Sequence, residues 1–203
     1  MGRMVADVLE AVGVHHVVMV DLHTTQIEGF FKIPVDMLTA VPLLATYLGK
    51  DLSPGVVVVA PDAGALRMAS EYAHRLNGTV AVFHKRRESG TGTQVTHLVG
   101  DVADKTCLIV DDMISTGGTL ASAIEALLKA GARPELTIAA THGLLVAGAR
   151  QKIAQEAIKK LLITDTVAGA PKDWPCLQVI SIAPLIAGAL KRLVEHRSLG
   201  DLY

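Results

Sequence analysis

The sequence predicts an α/β fold, a parallel sheet with helices on both faces, and three observations carry that expectation. Half of the 203 residues are apolar, but only three Phe, three Tyr and one Trp are among them, so the core is built from Val, Leu, Ile and Ala. That is the palette of strands buried on both faces. Apolar runs of strand length recur, each followed by a loop and a helical pattern, and this alternation gives parallel strands joined by right-handed crossovers. No unbroken apolar run reaches the length of a membrane span. Charge is nearly balanced, 19 Lys and Arg against 20 Asp and Glu, which excludes binding of nucleic acid or membrane through bulk electrostatics.

In chain order, a helix is expected over 2–12 and a strand over 16–22, where Val17-Val18-Met19-Val20 forms an apolar run. A helix over 36–50 comes next, then strands over 56–60 (VVVVA) and 79–84 (TVAVFH) flanking a helix over 65–76. Residues 85–99 carry Gly90, Gly92, several Thr and little apolar content, so they read as a long mobile loop. The strand over 106–110 (TCLIV) leads to a helix over 118–130, whose Leu120, Ile124, Leu127 and Leu128 fall on one face and which Gly131 stops. Strands over 135–142 and 160–164 flank a helix over 146–155, and a short strand near 178–182 precedes a last helix over 183–195. Ser53-Pro54-Gly55 suggests a boundary between 1–52 and 53–203. The first part is too short to be a domain alone and begins as if a sheet were entered partway. Cys107 and Cys176 form no disulfide or zinc pattern, and no leader stands at Met1, so a soluble protein of the reducing cytoplasm is expected.

The segment with the most chemistry is Cys107 to Thr119, CLIVDDMISTGGT: an apolar strand ending in two acids, then a hydroxyl- and glycine-rich turn that opens a helix. Such a turn is a sugar-phosphate cradle. Backbone N–H groups at Gly117, Gly118 and Thr119 can point at a phosphate, helped by the helix dipole and by the hydroxyls of Ser115, Thr116 and Thr119. Asp111 and Asp112 leave the strand at a distance suited to ribose hydroxyls, bound directly or through Mg²⁺.

This string resembles the signature shared by phosphoribosyltransferases and ribose-phosphate diphosphokinases, the synthetases of phosphoribosyl diphosphate (PRPP). Three further segments are similar to the synthetases in particular. The first is 20–40, VDLHTTQIEGFFKIPVDMLTA, where His23 lies past the carboxyl end of a strand; the resemblance implies that it contacts metal and ATP. The second is 57–67, VVVAPDAGALR; alone Pro-Asp-Ala-Gly is a common turn, and the resemblance implies Asp62 as a metal ligand and Ala63 and Gly64 as a backbone site for diphosphate. The third is 84–87, HKRR, which in isolation is a solvated basic run; the resemblance makes Lys85 the catalytic lysine and Arg87 a catalytic and ribose 5-phosphate-binding arginine. Thr141-His142-Gly143 and Thr164-Asp165-Thr166 match further positions, to which no chemistry is assigned.

Two departures stand out: Ser115 where many synthetases have Asp, and Lys32 where an acid is frequent. The resemblance covers nearly the whole chain but lacks the synthetases' full N-terminal domain. It therefore implies a remnant of a phosphoribosyltransferase-like N-terminal domain over 1–52 and a complete C-terminal PRPP-binding domain over 53–203, either as a fragment or as a natural short form. The implied activity is Mg²⁺-dependent transfer of diphosphate from ATP to ribose 5-phosphate, giving PRPP and AMP, in a homo-oligomer. The alternatives are a non-catalytic PRPP- or nucleotide-binding regulatory subunit and a phosphoribosyltransferase.

Overall fold

The computed structural model describes residues 1–87, 94–146 and 148–202. The chain divides into two compact units, Met1–Ala40 with Ala183–Tyr203, and Val41–Ile182. The division corrects the expected boundary at 52/53. Helix α2 (Val41–Leu48) buries Val41, Leu44, Ala45 and Leu48 and packs on α3 (Leu66–Leu76), so it belongs to the second unit. The last helix, α6 (Ala183–Val194), belongs to the first unit.

In the first unit, α1 (Gly2–Ala11) precedes a two-stranded parallel sheet of β1 (Val17–Val20) and β2 (Val35–Leu38). Its small core joins Leu38 to Ala189 and Leu199, with Val18, Val20, Leu185, Ile186 and Leu193 packed against them. The expected helix over 36–50 thus starts late, because Val35–Leu38 pairs in register with β1 before α2 begins. His16 Nε2 meets Asp36 Oδ2 at 2.6 Å and ties the two strands at their start.

The second unit is a seven-stranded sheet in the order β5-β4-β3-β6-β7-β8-β9. These strands are β3 (Val57–Ala60), β4 (Thr79–Arg87), β5 (Gln94–Val99), β6 (Cys107–Ile114), β7 (Leu136–Gly143), β8 (Ile158–Thr164) and β9 (Leu177–Ile180). All pair in parallel except β4 with β5. The antiparallel edge corrects the reading of 85–99 as a loop. β4 runs on to Arg87, and β5 pairs with it from Gln94↔Arg87 to Val99↔Val82, with Leu98 packed against the core. Residues 88–93 lie outside the described residues.

Both faces of the sheet are covered. Val57, Val59, Cys107 and Ile109 pack with Leu120, Ile124 and Leu127 of α4 (Gly118–Lys129). Val58, Ala60, Leu108 and Val110 point the other way and are equally inaccessible, on the side where α3 meets β3. A short α5 (Ala149–Ile153) replaces the expected helix over 146–155. Among the described residues no helix is long and apolar enough to cross a membrane.

Candidate functional site

The turn after β6 is held by its surroundings rather than by its own side chains. Gly117 has φ +74°, and a Cβ there would come within 2.8 Å of Ile153 Cδ1 and Cγ1, so both backbone and space demand glycine. The loop after β7 fastens the other side: Leu145 N–H donates to Ile114 O at 2.9 Å and Val146 N–H to Ser115 O at 3.2 Å. Among the described residues no side chain caps the start of α4, which leaves the first-turn N–H groups without a side-chain acceptor there. Thr116 is exposed, Ser115, Gly118 and Thr119 are half-buried, and Gly117 is buried. A short anion can therefore meet N–H groups and hydroxyls together. Ile153 and Leu145 were not legible as parts of this turn, because nothing in the sequence says which segments lie against it.

Asp111 and Asp112 do not leave the strand as expected. β6 continues through them to Ile114, pairing Asp111 with Ala140 and Met113 with His142. Adjacent strand residues face opposite sides, so the two half-buried carboxylates are not an equivalent pair. Asp111 Oδ1 accepts the Asp112 N–H at 2.9 Å, which orients that carboxylate.

Asp62 sits two residues past β3 and caps the 3₁₀ turn Ala63–Ala65, its Oδ1 accepting the Gly64 N–H at 2.9 Å. The expected backbone site at Ala63 and Gly64 therefore has one donor engaged by Asp62 itself. A bound diphosphate has to compete for it. The turn contacts β3, β4 and β6, so the Asp62, 85–87 and 111–119 segments all sit at the carboxyl ends of three neighbouring strands, β4-β3-β6. Ligands of open α/β sheets bind at that end. Lys85 and Arg87 lie on β4 opposite Thr96 and Gln94; their side chains lie outside the described structure.

His23 belongs to the first unit, three residues beyond β1, and is exposed. Its approach is fixed by Asp21, at φ 41°, whose N–H donates to Leu38 O and whose Oδ2 accepts the Ala40 N–H at 2.8 Å. This strap across the ends of β1 and β2 was missed in the sequence, although an Asp closing a strand is the one signal for it. Lys32 has a structural part: its N–H donates to Glu10 Oε1 at 2.6 Å.

The carboxyl ends of β7 and β8 hold a hydroxyl network. Thr164 Oγ1 donates to Thr141 O at 2.7 Å, Thr166 Oγ1 donates to the same carbonyl at 3.2 Å, and His142 Nδ1 lies 2.9 Å from Thr166 Oγ1. Asp165 accepts the Ile182 N–H at 2.7 Å, and that bond together with the Ser181 hydroxyl holds its carboxyl below the usual range. These contacts are structural, joining strand ends within the second unit.

Among the described residues no three His, Cys, Asp or Glu side chains converge. Asp62, Asp111 and Asp112 nevertheless offer hard oxygen donors at the ends of β3 and β6. Carboxylates are the donor type that Mg²⁺ takes, commonly one or two of them together with substrate phosphates, so Asp62 or one of the β6 acids suits that chemistry singly and the three do not form a cage.

Comparison with known proteins sets this geometry in a family. The chain is 42% identical over 203 residues to a ribose-phosphate pyrophosphokinase of Caldanaerobacter subterraneus subsp. tengcongensis, covering 99% of this chain and 64% of that protein. The crystal structure of phosphoribosylpyrophosphate synthetase from Mycobacterium smegmatis superposes with a TM-score of 0.87 at 41% identity, over 96% of this chain and 64% of the other. An APRTase from Giardia lamblia, in complex with 9-deazaadenine, shares the fold at a TM-score of 0.51 and 24% identity, over 61% of this chain and 76% of its own. The chain thus spans less than two thirds of the length of the synthetases it matches. The phosphoribosyl transferase domain profile matches residues 44–176, the stretch that contains the whole β4-β3-β6 cluster and the Gly117 turn, and the chain belongs to that family.

Proposed function

We propose that this chain carries the ribose 5-phosphate and diphosphate sites of a ribose-phosphate diphosphokinase. One observation carries the reading: the likeness to synthetases extends over 99% of the chain, including the β1–His23 segment, whereas the APRTase likeness covers 61% of it. In the reaction, the anomeric hydroxyl oxygen of ribose 5-phosphate attacks the β-phosphorus of ATP. The bond from that phosphorus to the oxygen bridging the α-phosphate breaks, AMP leaves with its electron pair, and the hydroxyl proton is lost.

The turn from Ser115 to Thr119 grips the 5-phosphate, with Gly117 supplying the left-handed backbone that turns the chain into α4. Asp111, its carboxylate oriented by the Asp112 N–H, accepts from a ribose hydroxyl. The N–H groups of Ala63 and Gly64 take a diphosphate oxygen once Asp62 turns away from Gly64. Lys85 and Arg87 bring positive charge to the in-line transition state, where negative charge spreads over the transferred group. Asp62 would help to hold Mg²⁺ at the end of β3, and His23, on the first unit, is a separate residue for metal and ATP contact; the ion, when bound, would neutralise the phosphate charge that repels an incoming hydroxyl. Two free thiols support a reducing, cytoplasmic location. A run of exposed apolar residues on α1, Met4, Val5 and Val8, supports self-association into a homo-oligomer, which light scattering measures directly.

The deciding assay incubates the protein with ATP, Mg²⁺ and ribose 5-phosphate and follows AMP and PRPP. Formation of both, reduced about 100- to 1,000-fold in Lys85→Ala, supports the reading. Diphosphate release from PRPP that depends on an added base overturns it in favour of a phosphoribosyltransferase. A second reading is a PRPP-binding subunit without turnover, for which the Gly117 turn and Asp111 suffice by themselves. Tight PRPP binding with no AMP formed identifies that case.

A further inference from the structure

A cavity of about 630 Å³ opens at the amino-terminal ends of β6 to β9, the end of the sheet opposite the Asp62 and Gly117 turns. Its volume falls in the range of roughly 300–1,000 Å³ that small-molecule sites occupy. One wall is a polar row on an otherwise apolar face. Thr137, Lys160 and Gln178 stand near the starts of β7, β8 and β9 and alternate with Leu161 and Leu177, which point to the α4 side; Ala139, Leu162 and Ile180 come after them on their own face. Thr137 is only 4% exposed, yet it lines the cavity.

The facing wall comes from the end of α2 and the segment after it, with Leu48, Leu52 and Ser53. That segment leads into β3, three strands from β8, but Asp51 Oδ2 reaches Lys160 Nζ at 2.5 Å. The strap therefore spans the ends of β6 and β7. The other lysine on the lining, Lys159, faces Glu135 at 3.3 Å. Each cation is thus matched by a carboxylate.

This matching decides the ligand's charge. A phosphate or carboxylate that approaches either lysine meets Asp51 or Glu135 as well, and an ammonium meets the lysines; an uncharged molecule disturbs neither pair. What remains for recognition is neutral: hydroxyls of Ser53, Thr106 and Thr137 and the amide of Gln178, set beside leucine side chains. Donors and acceptors beside the Leu48 and Leu52 side chains suit a molecule that has a polar edge and an apolar face, as a flat nitrogen heterocycle has. We propose that this cavity is a second ligand site, which takes an uncharged nucleobase or nucleoside. It stands independently of the diphosphokinase reading, because every residue it uses lies at the other end of the sheet.

Cys176 lines the cavity and is half-buried, whereas Cys107 is inaccessible, so alkylation of Cys176 reports occupancy. The test measures the rate of Cys176 carbamidomethylation at pH 8, where the nucleosides are almost wholly uncharged, by peptide mass spectrometry on the whole chain, with 1 mM adenosine, guanosine or uridine. At least one nucleoside is expected to slow the reaction about threefold or more, while AMP and ribose 5-phosphate leave the rate unchanged. Thr137→Val, which keeps the side-chain shape, and Gln178→Leu, at an exposed position of the edge strand, each raise the nucleoside concentration for half-protection about fivefold or more. If Thr137→Val fails to fold, Gln178→Leu alone decides. The proposal is overturned if no nucleoside protects, if AMP protects as well as adenosine, or if both variants are protected like the native chain. Protection by ribose 5-phosphate also overturns it.

Discussion

Gly117 concentrates the site's demands in one residue. Its φ of +74° and the 2.8 Å approach of Ile153 mean that Gly117→Ala suffers backbone strain and a clash at once, about 1–3 kcal/mol together. A lower urea midpoint is expected, with ribose 5-phosphate affinity falling in isothermal titration. Thr164 works through a single hydroxyl: it is fully buried and donates to Thr141 O at 2.7 Å. Thr164→Val preserves the volume but removes one of the two hydroxyls that donate to that carbonyl, the Thr166 hydroxyl remaining, an expected loss of about 0.5–1.5 kcal/mol in chemical denaturation. The residues of the phosphate turn were legible because glycines, hydroxyls and acids announce themselves in order after an apolar strand. Ile153 and Asp21 were not, because their parts depend on which chain segment lies opposite, and only the fold decides that.

At the scale of elements, strands buried on both faces read easily, as β3 and α4 show: Val-Val-Val-Val-Ala and a one-sided leucine pattern each admit one interpretation. β2 and β5 did not. Val35–Leu38 is four residues of mixed polarity before a helical pattern, too short for its period to separate strand from helix. β5 is an edge strand whose Gln-Val-Thr-His-Leu-Val was obscured by the basic, Gly- and Thr-rich residues before it in the 85–99 window. The link from β8 to β9 is closed by Asp165, whose carboxyl is held low first by the Ile182 N–H and then by the Ser181 hydroxyl. A carboxyl whose folded pKa lies below its unfolded value contributes stability above that unfolded value, about 3.9, and loses it as pH falls through the folded one. The stability gap between the native chain and Asp165→Asn is therefore expected to be constant above about pH 5 and to close below about pH 4. Urea midpoints measured from pH 3 to pH 7 check this.

For the whole molecule, the two thiols separate surface from core. Burial pushes the Cys107 thiol up to about 11 and shields it completely, while Cys176 is partly accessible. A thiol reagent at pH 8 is expected to label one cysteine per native chain and two in urea, so the second label counts global unfolding. The two-unit division carries a further consequence for how the molecule comes into being. The first unit is written in two stretches of the chain, with Val41–Ile182 inserted between them. During vectorial synthesis the inserted sheet has all its strands once Ile182 has left the ribosome. Leu38 must still wait for Ala189 and Leu199, its core neighbours, which are made only after the whole insert. The segment bearing His23 is translated early but gains its supporting core only after the seven-stranded sheet is complete, so a chain stopped after Ile182 has its phosphate turn and lacks a finished support for its histidine.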